Sequence, residues 1–279
     1  MTVLRLGELS LDCPAVMGIL NVTPDSFSDG GKFHAPADAL RQAQQMAAAG
    51  AAVIDVGGES TRPGAPDVSE QEETDRVIPV IEALQQTVAT PISIDTSKPG
   101  VMRAAVAAGA AMINDVRALR EEGALQAAAE LQRPVCLMHM QGQPRTMQDE
   151  PHYDDVVADI SAFLRERVAE CVQAGLGEDL LLIDPGFGFG KTPQDNIELL
   201  ANLRQLLDIG PPLLIGVSRK STLGVITGRE VDERLPAGLA AAVMAVERGA
   251  QIVRAHEVAE TVDALRMVRA TMESEATNE

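Results

Sequence analysis

Val53-Ile-Asp-Val-Gly-Gly-Glu-Ser-Thr-Arg-Pro-Gly64 is a short apolar run that breaks into a polar, glycine-rich loop. Val53–Val56 is too short for a helix, and a run rich in β-branched residues suits a strand covered on both faces, as in a parallel sheet. A helix is predicted beyond the loop, over Glu70–Val88. Ser69 precedes it, with Glu72 three residues on, the spacing of a capping box. The unit is therefore strand, polar loop, helix.

The same unit recurs along the chain. Apolar runs stand at Val16–Leu20, Ile92–Ile94, Met112–Ile113, Val135–Met138, Leu180–Ile183, Leu213–Val217 and Ile252–Val253, which with Val53–Val56 makes eight. Helices are predicted between them. Ala37–Ala49 stops at Gly50, and another helix opens at Pro99 and ends at Gly109. Ala124–Leu131, Asp154–Ala174, Gln194–Leu207, Glu233–Arg248 and Val258–Thr271 complete the set. Strict alternation of eight strands and eight helices predicts a closed (β/α)8 barrel, the TIM-barrel architecture, as a single domain over residues 1–279. A chain of 279 residues fits it, since ~250 is typical of the fold. The polar stretch 272–279 is expected to fray. An open doubly wound sheet is the alternative, weakened because no Gly-x-Gly-x-x-Gly follows the first strand.

The polar residues that end the strands carry the functional signal. They are Asn21, Asp55 to Glu59, Asp95, Asn114 with Asp115, His139, Asp184, Ser218-Arg-Lys-Ser221, and Arg254 with His256. In such a barrel all eight carboxyl ends meet at one face, where active sites lie. Asn and Asp also favour turns and helix caps, so any one of them has a plain structural reading. Eight together point to a shared site. Asn21-Val-Thr-Pro-Asp-Ser-Phe-Ser-Asp-Gly-Gly31 and Gly57–Gly64 are long loops of the kind that carry function. Asp184-Pro-Gly-Phe-Gly-Phe-Gly-Lys191 lacks the Gly-Lys-Ser/Thr ending of a phosphate loop, and its glycines suit close approach of backbone to a flat ligand.

Composition narrows the ligand class. A formal charge of −18 repels nucleic acid and anionic membrane, and 2% aromatic residues with no Trp leave little for base stacking. An anionic substrate would need a locally basic site, which Arg62, Arg219, Arg254 and His256 supply. No apolar run approaches a membrane span, no secretory leader is evident, and Cys13, Cys136 and Cys171 have no metal-like spacing. A reducing cytoplasm is the expected location.

Asp95, Asn114 and Asp184 offer two carboxylates and an amide, the set required by a planar heterocycle with an amino-pyrimidinone edge. Lys220 has three candidate roles: hydrogen bonding to a ring carbonyl, charge stabilisation, or a Schiff base. Any metal would be a hard Mg²⁺ bridged mainly by substrate phosphates, with few protein ligands, which Asn21 and the carboxylates of the first two loops can supply.

These residues resemble the dihydropteroate synthase family over Val16–Val268. Met17–Gly31 and Ile54–Gly64 look like its two signature segments, and Ser93–Lys98, Ile113–Asp115, Met138–Met140, Asp184–Lys191, Ser218–Ser221 and Arg254–His256 also match. The resemblance implies condensation of 6-hydroxymethyl-7,8-dihydropterin diphosphate with p-aminobenzoate, with Mg²⁺, in a homodimeric sulfonamide target. It implies that Asp95, Asn114, Asp184 and Lys220 hold the pterin and that Arg254 packs on its ring. Asn21, Arg254 and His256 take the diphosphate, with Thr61 and Arg62 completing the site. Thr61, Pro63, Phe189, Lys220 and Ser221 frame the aminobenzoate, and Phe27 closes over it. Asp95, Asp184, Lys220 and Arg254 are the implied catalytic residues. Pterin-binding methyltransferases of corrinoid systems, a Schiff-base aldolase using Lys220, and a non-catalytic pterin-binding protein are the competing readings.

Overall fold

The computed structural model describes residues 2–23, 35–60, 67–142, 147 and 151–276. Two strands precede the first run read from the sequence. β1 (Thr2–Leu6) and β2 (Leu9–Cys13) form an antiparallel hairpin. The barrel strands follow: β3 (Ala15–Asn21), β4 (Val53–Gly57), β5 (Ile92–Asp95), β6 (Met112–Asp115), β7 (Val135–Met138), β8 (Leu181–Asp184), β9 (Leu214–Ile215) and β10 (Ile252–Ala255). All pair in parallel in the order β8-β7-β6-β5-β4-β3-β10-β9. A parallel bridge between Ile183 and Leu213 joins the two ends, so the expected barrel closes at its shortest strand.

Helices follow the strands: α1 (Ala35–Ala48), α2 (Glu70–Thr87), α3 (Pro99–Ala107), α4 (Ala124–Leu131), α5 (Val156–Gln173), α6 (Pro193–Ala201), α7 (Ser221–Thr227), α8 (Leu235–Glu247) and α9 (Val258–Ala276). The sequence missed α7, a short helix between β9 and α8. It also extended α6 through Leu207, where the chain instead turns as a 3-10 helix over Leu203–Ile209. Of the capping box at α2, the forward half is present: Ser69 accepts from the Glu72 N–H at 3.2 Å, while the Glu72 carboxylate pairs with Arg76. α9 runs to Ala276, well into the stretch expected to fray.

Alternation along each strand sorts side chains into two sets. One points outward to the helices: Val16, Leu20, Ile54, Val56, Ile92, Ile94 and Ile113 join the large core between barrel and helices. The other fills the barrel in layers. Ala15, Met17, Val53, Met112, Cys136, Leu182, Leu214 and Ile252 form its apolar floor, and Leu4, Leu6, Leu9 and Leu11 of the hairpin pack beneath them. The hairpin seals the end of the barrel remote from the strand carboxyl termini. Its Leu-x-Leu alternation over Leu9–Cys13 has the burial pattern of a strand with one face covered. Two residues further along β4, β6, β8 and β10 the interior becomes polar, at Asp55, Asn114, Asp184 and Arg254.

Candidate active site

The polar layer is organised by one guanidinium. Arg254, on β10, donates from Nε to Asp55 Oδ2 at 2.7 Å and from Nη2 to Asp95 Oδ2 at 2.7 Å. Asn114 Nδ2 also donates to Asp55 Oδ2, at 2.9 Å. The sheet register explains the meeting: Asp55 aligns with Ser93, and Asp95 with both Gly57 and Asn114. Asp55 is wholly buried, and its Oδ1 has no partner among the described residues. It is thus a bracket that holds both Arg254 and the Asn114 amide. Burial pushes the Asp95 carboxyl up, against the opposing pull of Arg254. Gly57 opens the space above. A Cβ there would lie 3.6 Å from Asp95 Oδ2 and 3.7 Å from Asn21 Oδ1.

Across the mouth, Asp184 ends β8. Its Oδ1 accepts the Gly186 N–H at 2.7 Å, a local turn bond of the kind Asp commonly makes. Pro185 therefore does not prevent a capping interaction, and the second carboxylate oxygen remains for a ligand. Burial raises Asp184 to about 6, opposed by the Gly186 N–H and by Lys220. Lys220, just before α7, is lowered to about 7 by burial, opposed by Asp184. Its Nζ sits 3.7 Å from the centre of the Phe189 ring, a cation–π contact. Gly188 makes that approach feasible, because a Cβ there would meet Lys220 Cδ at 2.8 Å.

A third group stands beside Arg254. Ser218 Oγ lies 2.9 Å from His256 Nδ1 and donates to Glu257 Oε2 at 3.0 Å. Arg219 pairs with Glu257 and holds a left-handed φ of 60, a strained conformation for a non-glycine residue. Burial lowers His256 to about 4, with Arg219 and Arg254 adding to the effect. An incoming anion would reverse that repulsion. Ser221 is exposed at the first turn of α7.

The structure gathers Asn21, Asp95, Asn114, Asp184, Phe189, Lys220, Ser221, Arg254 and His256 at the carboxyl ends of the strands. Phe27, Thr61, Arg62 and Pro63 lie outside the described residues. Asp115, the other polar end of β6, faces the opposite way and caps a turn, accepting the N–H groups of Arg117 and Leu119 at 2.8 Å each. Asp55 was seen as a polar strand end but given no role. It stands two residues after Val53 of the barrel floor and so on the inward face, which only the strand register reveals.

For metal binding, no group of three or more His, Cys, Asp or Glu suited to an ion occurs among the described residues. Asn21 offers a single hard oxygen donor beside the Asp95 carboxylate. That donor set fits a cation held mostly by phosphate and water.

A family model described as pterin binding enzyme matches residues 17–256. The chain is 55% identical to the dihydropteroate synthase of Escherichia coli (strain K12), over 95% of this chain and 94% of that protein. A dihydropteroate synthase from Xanthomonas albilineans solved with 4-aminobenzoic acid superposes with a TM-score of 0.92 at 53% identity, covering 97% of this chain and 99% of that one. The Xanthomonas albilineans enzyme in complex with 7,8-dihydropteroate gives 0.88 at 50% identity, covering 97% and 99%. The match over residues 17–256 covers the strands that build the site, and the chain belongs to the dihydropteroate synthase family of pterin-binding enzymes.

Proposed function

We propose that this transferase joins 6-hydroxymethyl-7,8-dihydropterin diphosphate to p-aminobenzoate, releasing diphosphate and 7,8-dihydropteroate for folate biosynthesis. The observation that carries the assignment of roles is the facing pair of groups in one mouth: Asp184 with Lys220 on one side, and Asp95, Asn114 and Arg254 on the other. Asp184 and Asn114 read the amino-pyrimidinone edge in this proposal, and Lys220 meets the ring carbonyl. Arg254, Asn21 and His256 take the diphosphate, joined by Thr61 and Arg62. Phe189, Lys220, Ser221, Thr61 and Pro63 frame the aminobenzoate, with Phe27 over it. Bound Mg²⁺, held by Asn21 and the substrate, would neutralise charge on the leaving diphosphate.

In the reaction the bond from the pterin methylene to the diphosphate oxygen breaks, and its electron pair leaves with diphosphate. The amine nitrogen supplies the pair for the new C–N bond and then loses a proton. Positive charge developing on the pterin lies near Asp95 and Asp184, which are already in place, so little reorganisation is required. Neither substrate carries an aldehyde or ketone to condense with Lys220, which favours the hydrogen-bonding role.

The test is diphosphate release with both substrates and with each omitted. Release that depends on the aromatic amine and yields dihydropteroate is expected. Binding of the pterin diphosphate without turnover would instead indicate a non-catalytic binding protein.

Asp184 also sets a pH dependence. Only its carboxylate accepts two N–H groups, so affinity follows the deprotonated fraction and falls as pH drops through about 6. Affinity for 6-hydroxymethylpterin, which carries no titrating phosphate, should fall about tenfold per pH unit below about 6. Titration calorimetry showing constant affinity down to the usual carboxylate range would contradict this.

We also propose a cytoplasmic homodimer. Three buried, unbridged cysteines suit a reducing compartment, and Val225 and Ile226 of α7 present apolar surface to a second copy.

A further inference from the structure

Lys191 ends the glycine-rich segment after β8, with its side chain almost wholly buried at 2% exposure. Its Nζ lies 3.0 Å from His139 Nδ1 and donates to the carbonyls of Gly186 and Phe189, each at 2.9 Å. An ammonium has three donors, and these are three neutral acceptors. Burial, with Lys191 and Arg120 adding to it, holds His139 neutral, and with the ring proton on Nε2 its Nδ1 accepts from Lys191. Burial lowers Lys191 to about 7, opposed by the nearby Asp184 carboxylate, and none of its hydrogen-bond partners among the described residues is a carboxylate. Stability alone does not call for that arrangement, since a hydrophobic side chain would fill the space without the desolvation cost.

The segment that Lys191 ties down needs an external hold. Gly186, Gly188 and Gly190 take φ of 68, 83 and 59. A Cβ at Gly186 would stand 1.8 Å from the His139 carbonyl oxygen, so the backbone passes directly against the end of β7. Glycine permits this path but does not enforce it. The Phe189 N–H closes a turn onto the Gly186 carbonyl at 3.0 Å, and Lys191 binds that same carbonyl together with the Phe189 carbonyl. Tyr153 adds a hydroxyl donated to the Gly190 carbonyl at 2.6 Å. The Phe189 ring, against Lys220, sits at the tip of this staple.

We propose that Lys191 is a positioning residue for the aromatic amine: by fixing the backbone of Gly186–Phe189 it holds Phe189 against Lys220 and sets the wall of the aminobenzoate pocket. This rests on the assignment of Phe189 and Lys220 to that pocket. Lys191 touches neither substrate and acts through Phe189. Lys191→Met keeps the length of the side chain and removes all three donors. Lys191→Gln keeps an amide donor.

Steady-state kinetics of the full chain should show the KM for p-aminobenzoate rising roughly 10–100-fold in Lys191→Met, the range for a small misplacement of a positioning group, with the KM for the pterin diphosphate changed less than about threefold. Lys191→Gln should recover part of the loss. Unchanged constants, or equal changes for both substrates, would overturn the proposal. So would failure of both variants to fold, which would make the role purely structural. A wild-type protein that forms no dihydropteroate would defeat the functional assignment instead. In that event a crystal structure of Lys191→Met decides the matter without turnover: the Phe189 ring displaced from Lys220 is expected, and a ring left in place refutes the staple.

Discussion

Asp184→Asn should fold normally and lose about 10²–10³-fold or more in affinity for the dihydropterin, a change of roughly 3–5 kcal/mol for breaking a buried charged partnership. The local geometry explains why so small a substitution has so large an effect. Oδ1 of Asp184 is already taken by the Gly186 N–H at 2.7 Å. An asparagine in the same place would keep that bond by turning its amide oxygen to Gly186. Its NH2 would then face the ligand, so a donor would meet the pterin N–H. Lys220 suffers as well, because Asp184 is what opposes the burial that lowers it to about 7. Calorimetry with 6-hydroxymethylpterin, beside a thermal melt, measures both parts. Near-native affinity in a folded variant would remove Asp184 from the pterin site.

The barrel and most of its mouth were legible because both follow from strand periodicity. A run buried on both faces has to be apolar, so eight such runs stand out, and the residue that ends each run is the first one free to be polar. This located Asn21, Asp95, Asn114, Asp184 and Arg254 without any structural information. It failed where that logic does not apply. The β1–β2 hairpin is covered on one face only, and its Leu-x-Leu alternation is a weak signal beside the continuous runs that follow. α7 is seven residues long, too short for a helical repeat to show.

Within the site, the sequence also could not tell inward from outward among adjacent polar residues. Asn114 and Asp115 look equivalent in the chain, yet one faces Arg254's partners and the other caps a turn. Parity relative to a neighbouring strand decides this, and it requires the register. Lys191 and His139 were hidden for a different reason. Each looks like a surface or site residue, and only their mutual burial shows that they bond to each other.

Arg254→Met is the substitution expected to damage both stability and chemistry, and the two can be separated. Arg254 is the cation bonded to both Asp55 and Asp95 in the barrel interior. Removing it leaves two carboxylates close together with their shared counter-charge gone, a loss of about 3–5 kcal/mol for one partner of a buried pair. Asp95, already raised by burial, loses the group that pulls it down and rises further. A carboxyl whose folded value is raised stabilises the fold below its ordinary range and loses that contribution as pH climbs through the raised value. The deficit in melting temperature should therefore be smallest in acid and grow toward neutral and alkaline pH. A deficit that is constant with pH would show that the pair is not the cause. Converting the second carboxylate in Arg254→Met/Asp55→Asn removes the repulsion, and most of the lost stability should return. Activity should not return, because the guanidinium proposed to hold the diphosphate is still missing. A double variant that regained turnover would reduce Arg254 to a structural counter-ion, and the diphosphate would then have to be held by His256, Asn21 and Arg62 alone.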